Sequence, residues 1–195
     1  MEVVGEQRLG SLSKRADRLN SRVAIPDFYH YFERSRGPFL SLSELDAGEA
    51  ERLLEELRQN SRLMASFRGP RYLARRHELE MLARKILVEK GGRPETSTPG
   101  YMVMGPCPWL ESWYVEPASL CIPVGAFDPL KVSFSYGDLF PTFGTAADDG
   151  KEYRRQVYTF AEIWSLVDRY GYPQDWNPDG SEGPERYIEV HVWER

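Results

Sequence analysis

Close to its C-terminal end the chain reads Tyr187-Ile188-Glu189-Val190-His191-Val192-Trp193. Alternation of period two sets Ile188, Val190 and Val192 on one side of a strand and Tyr187, Glu189, His191 and Trp193 on the other. A carboxylate, an imidazole and two aromatic rings then share a face. If the aliphatic face packs on helices, this second face requires a ligand, a partner or another layer, so it is the best candidate for a pocket wall. Asp138 ends Phe134-Ser135-Tyr136-Gly137-Asp138, a strand running into a glycine turn, where side chains reach the rim of a sheet. The same residue is equally suited to an Asx-type cap. Arg75 and Arg76, with Arg71 and Arg84 at helical spacing, could grip an anion bidentately. A solvated face in which Glu80 pairs with Arg84 is the plainer expectation. The candidate ligand-binding residues are therefore Arg76, Tyr136, Asp138, Tyr187 and His191. His30 and Glu189 are the candidates for catalysis, although a histidine inside an aromatic strand more often bonds a backbone carbonyl.

Other chemistries find less support. There is no phosphate-binding glycine loop, no Gly-x-Gly-x-x-Gly, no nucleophile elbow and no Cys-x-x-Cys. His77-Glu78 lacks a second histidine four residues on, where Met81 stands, so no metal site is expected there. Asp175-Trp176-Asn177-Pro178-Asp179-Gly180 begins like a calcium loop. Its twelfth position is Arg186 instead of a bidentate Glu, and an ordinary turn is expected. Cys107 would need a histidine within reach to act as a nucleophile, and Cys121 is expected in the core.

These residues require elements to carry them. Phe28 to Phe32 is a strand by propensity, and Asp46-Ala47-Gly48-Glu49 is a capping box opening a helix with Ala50, Leu53, Leu54 and Leu57 inward. A second, basic helix runs from Pro70 to the Gly91-Gly92 stop, with Tyr72, Leu79, Leu82 and Ile86 as its apolar stripe. Short β runs follow at Tyr101–Met104, Trp113–Val115, Leu120–Val124 and Val132–Tyr136. A third helix opens at the capping box Thr159-Phe160-Ala161-Glu162 and ends before Gly171 and Pro173. The expected fold is α+β, a largely antiparallel or mixed sheet packed against about three helices. Residues 1–25 read as a flexible arm and 26–195 as one domain.

The chain has 195 residues and a formal net charge of −5. That balance argues against nucleic acid as the main partner, and no apolar run approaches a membrane span. Two cysteines and no signal-like leader point to a cytoplasmic setting. Aromatics make up 13% of the chain, and all five Trp fall in its second half, which is where a site is to be sought.

Tyr29-His30-Tyr31 with Gly37-Pro38-Phe39, Pro108 to Tyr114, Ser133 to Asp138, Asp149 to Arg154 and Gly183 to Val190 together resemble a family of uncharacterised bacterial proteins. The resemblance runs from about residue 28 to the end and implies a bacterial setting and no mechanism. The chain also resembles, more distantly, ADP-ribosyltransferases of the His-Tyr-Glu type. That resemblance implies NAD as cofactor, with His30 at the ribose, Tyr136 or Tyr153 stacking the nicotinamide, and Glu189 facing the oxocarbenium-like centre. The function expected is binding of a small molecule or partner in a polar, aromatic-lined cleft. An NAD-consuming enzyme and a protein-interaction module are the alternatives.

Overall fold

The computed structural model describes residues 26–59, 66, 68–144 and 148–195, so the arm expected over residues 1–25 lies outside the described residues. Six strands build one sheet: β1 (Phe28–Glu33), β2 (Gly100–Met104), β3 (Pro117–Ile122), β4 (Val132–Tyr136), β5 (Tyr158–Thr159) and β6 (Ile188–Val192). Their order is β3-β1-β2-β6-β4-β5 and every neighbouring pair is antiparallel, so the fold is α+β as expected.

Among the described residues three helices exceed one turn. The first, α1 (Ala47–Gln59), starts where Asp46 Oδ1 accepts the Glu49 N–H at 2.8 Å. The second, α2 (Tyr72–Glu89), stops at Gly91, whose φ of 89° no L-residue adopts without strain. One-turn helices follow at α3 (Pro108–Glu111) and α4 (Leu139–Thr142). Then come α5 (Ile163–Tyr170) and the one-turn α6 (Pro173–Trp176). No helix among the described residues is long and apolar enough to cross a membrane.

The register separates the two faces of the sheet. Met102, Met104, Val132, Phe134, Ile188, Val190 and Val192 point to one side and pack with Ile163, Leu166 and Val167 of α5. The opposite side carries Tyr101, Val103, Ser133, Ser135, Glu189 and His191. Trp193, just past β6, packs there with Leu79, Ala83 and Leu87 of α2. Helix α2 is thus the second layer that the polar face of β6 required.

Several local expectations change. The buried positions of α2 are Leu79, Glu80, Ala83 and Leu87, whereas Leu82 is exposed and Ile86 only partly buried. The helix is rotated so that small Ala83 meets the sheet and a glutamate is turned inward. Trp113–Val115 is a turn and not a strand, because Glu33 accepts the N–H groups of Val115 and Glu116, both at 2.9 Å. The strand begins two residues later. Cys121 sits exposed on edge strand β3 rather than in the core. At the second capping box Glu162 accepts the Thr159 N–H at 2.9 Å, but Thr159 belongs to β5 and the helix waits until Ile163.

Strands β1 and β2 pair only through Phe28↔Met104 and Tyr29↔Val103, although β1 continues along β3 as far as Glu33. Beyond Tyr29 the sheet splits. His30 bridges the opening, its Nδ1 2.9 Å from the Tyr101 carbonyl that β1 no longer reaches.

Candidate functional site

A cavity of about 1250 Å³ enters this split. Its walls come from β1, the 36–45 segment, α1, the start of α2 and the Leu110–Tyr114 turn, and its floor from β2, the β4–α4 turn and β6. Aromatic rings dominate the walls: Tyr29, Tyr31, Tyr72, Trp113, Tyr114 and Phe140 are among them.

The floor is acidic and is built by the turn after β4. Gly137, at φ 101°, reverses the chain, and Asp138 then caps α4 by accepting the Phe140 N–H through Oδ1 at 2.7 Å. Asp138 Oδ2 accepts from the Tyr187 hydroxyl at 3.1 Å. Asp138 therefore caps a helix and also lines the cavity. The adjacent amide, Leu139 N–H, donates to Glu189 Oε2 at 2.8 Å. Two carboxylates thus share one helix start. Enclosure by protein and the neighbouring Glu189 charge push the Asp138 carboxyl up to about 7, against which the Phe140 amide and Tyr187 hydroxyl act. Burial holds the Tyr187 phenol well above its usual range, so it remains a donor.

Behind Glu189 runs a chain of polar groups. Trp193 Nε1 donates to Ser133 Oγ at 2.9 Å, and Ser133 Oγ lies 3.1 Å from His191 Nδ1. Ser133 thus links the Trp193 indole to His191, whose Nε2 lies 3.6 Å from Glu189 Oε2. His191 is fully buried behind Glu189, its Nε2 has no hydrogen-bond partner among the described residues, and it does not line the cavity itself.

Arg76 belongs to the wall but is already paired. Its Nε lies 2.9 Å from Glu80 Oε1 and 2.7 Å from Ser43 Oγ, and its Nη1 donates to Tyr72 Oη at 3.0 Å. Tyr101 Oη donates to the same Glu80 oxygen at 2.9 Å, and the guanidinium carbon stands 4.4 Å from the Tyr101 ring centre. The expected partner of Glu80, Arg84, instead donates to the carbonyls of Thr96 and Pro94. Glu80, Tyr101 and Ser43 were not foreseen as part of this region. The legible signal was the i, i+4 spacing of Arg76 and Glu80, and the period that sets Tyr101 on the face of Val103.

His30 lines the cavity with both ring nitrogens committed. Nδ1 meets the Tyr101 carbonyl, Nε2 accepts the Phe39 N–H at 2.9 Å, and burial pulls the imidazole below its ordinary value. The Phe39 ring stacks on it with centroids 4.4 Å apart, and Phe39 itself takes a left-handed φ of 58° at the cavity mouth. Tyr136 does not join the site. It points to the aliphatic face, where its hydroxyl donates to Gly171 O at 2.9 Å and its ring packs on Tyr153. Of the expected residues, the fold brings His30, Arg76, Asp138, Tyr187 and Glu189 to one cavity, puts His191 behind it and leaves Tyr136 and Tyr153 on the other side of the sheet.

Two further candidates resolve locally. Cys107 is buried, its thiol pushed up by desolvation and 3.9 Å from the Arg186 carbonyl. In the 175–186 loop, Asn177 donates to Glu185 O at 2.7 Å and accepts from the Glu182 N–H, while Asp179 accepts from Ser181. Those oxygens shape a turn. No protein-family model, curated protein or solved structure matches the chain.

Proposed function

We propose that the protein binds a small organic molecule in the cleft where β1 and β2 part. The observation that carries this reading is the conjunction of a ring-walled cavity of about 1250 Å³ with a floor holding the carboxylates of Asp138 and Glu189. A fold that only needed stability gains nothing from an opening in its sheet lined by buried acids, whereas ligand sites combine apolar walls with a few placed polar groups. Binding fits better than catalysis by His30, since neither ring nitrogen is free to move a proton.

A fragment screen by thermal shift and ligand-observed NMR, with NAD among its members, tests the reading. Ala74 is exposed, lies on α2 and lines the cavity, so Ala74→Trp obstructs the cleft without entering the core. Aromatic fragments are expected to bind the wild type and to lose most of their affinity in Ala74→Trp. Binding that survives the obstruction, or an absence of any binder, overturns the cleft. Capture of NAD with loss in Glu189→Gln would favour the transferase reading instead.

A further inference from the structure

We propose that the cleft selects ligands carrying a protonated nitrogen group, of the amidine, guanidine or alkylammonium kind, on an aromatic or apolar body, and that Glu189 Oε1 receives that group. The inference rests on the cleft reading above and names its ligand class. Glu189 Oε2 is held by the Leu139 amide, while Oε1 has no hydrogen-bond partner among the described residues and belongs to a side chain that lines the cavity. Glu189 is 8% exposed and its free oxygen opens on the cavity, so a donor from a ligand can take the place of cavity water there.

The charges around it favour a cation. Facing the carboxylate are Asp138 from the β4–α4 turn, Tyr187 just before β6, His191 within it, Tyr101 from β2, and Arg76 and Glu80 from α2, with Cys107 beyond Tyr187. Arg76 is the one fixed cation of this set, and its guanidinium is already engaged by Glu80, Ser43 and Tyr72. At the rim, away from the floor, Arg36 and Arg75 are paired with Glu56 and Glu78, Arg68 stands over the Tyr72 ring at 4.6 Å, and Arg71 lines the opening beside it. An anion entering the floor would meet uncompensated negative charge, whereas a cation relieves the repulsion between Glu189 and Asp138 and meets the negative faces of the wall rings. Relief of that repulsion lets protonated Asp138 release its proton to solvent, so binding near neutral pH expels part of a proton.

Isothermal titration with benzamidine, its neutral isostere benzamide and the anion benzoate tests this, run in buffers of different ionisation enthalpy. Benzamidine is expected to bind about tenfold or more tightly than benzamide, with benzoate weaker still. Proton release should be measurable near pH 7 and vanish near pH 9. Glu189→Gln should bring benzamidine and benzamide within about threefold of each other while leaving the circular dichroism spectrum unchanged. Equal affinities, a preference for benzoate, no benzamidine binding up to ~10 mM, or benzamidine binding that survives Ala74→Trp each overturn the proposal. Fragments that bind without regard to charge and are lost in Ala74→Trp would sink the ligand class while leaving the cleft intact.

Discussion

The two faces of the sheet are built on different principles, although the same strands supply both. On the α5 side the contacts are side chains such as Phe28, Phe134, Ile188 and Val190, each fully buried, and the hydrogen bonds there are few. On the α2 side Ser133, Glu80, Glu189 and His191 are buried as completely, or nearly so, and each makes a directional bond, Ser133 with His191, Glu80 with Ser43 and Glu189 with the Leu139 amide. The first face is stabilised by apolar area removed from water, which tolerates exchange of shape. The second stands only while each polar group keeps its partner. The opening between β1 and β2 reaches the second face, so the directional side is also the accessible one.

Substitutions that separate the two principles follow in order of size. Phe134→Ala should remove about 3–5 kcal/mol of unfolding free energy, read by urea denaturation, and leave cleft binding nearly unchanged in the folded fraction. Glu80→Ala strands the Arg76 guanidinium in a wall where its side chain is 13% exposed, and should cost about 3 kcal/mol. Adding Arg76→Met to it should recover much of that loss, a recovery that a purely apolar site would not show.

The α2 face should also give stability a pH dependence. Asp138 is raised from 3.8 to about 7, so between those values the folded chain holds a proton that the unfolded chain has lost. Stability attributable to this group is therefore greatest at the acid end, falls as pH rises from about 4 to 7 and is flat above. The fall is on the order of 4 kcal/mol, and Asp138→Asn should flatten it while keeping the Phe140 cap. Smallest of the set, Tyr136→Phe on the opposite face loses the bond to Gly171 O and should cost about 1 kcal/mol with no change in pH dependence.

Much of this contrast was legible in the residues. The alternation of Ile188, Val190 and Val192 with Glu189 and His191 marked both faces of β6, and Asp46 and the Gly91 stop marked helix ends, because these signals are local. The rotation of α2 was not legible: Leu82 and Leu79 are equally apolar, and which of them turns inward is decided by Ala83 fitting against Trp193. The pairing of Glu80 was misassigned because Arg76 and Arg84 both stand four residues away, and only the carbonyls of Pro94 and Thr96 decide which is free. Tyr136, a candidate for stacking a ligand ring, is separated from Asp138 because the glycine turn between them puts the carboxylate on the other side of the sheet from the phenol. The site itself depends on β1 leaving β2 after two paired positions, a long-range event with no local mark.

The most direct test of a face kept for binding rather than stability is the melting temperature of wild type and Glu189→Gln, each with and without saturating benzamidine. Removing a charge that opposes Asp138, while Gln still accepts the Leu139 amide, should leave the free protein as stable as wild type or more so, and should abolish the ligand-induced rise. A variant that melts well below wild type yet keeps the full benzamidine shift would contradict the account.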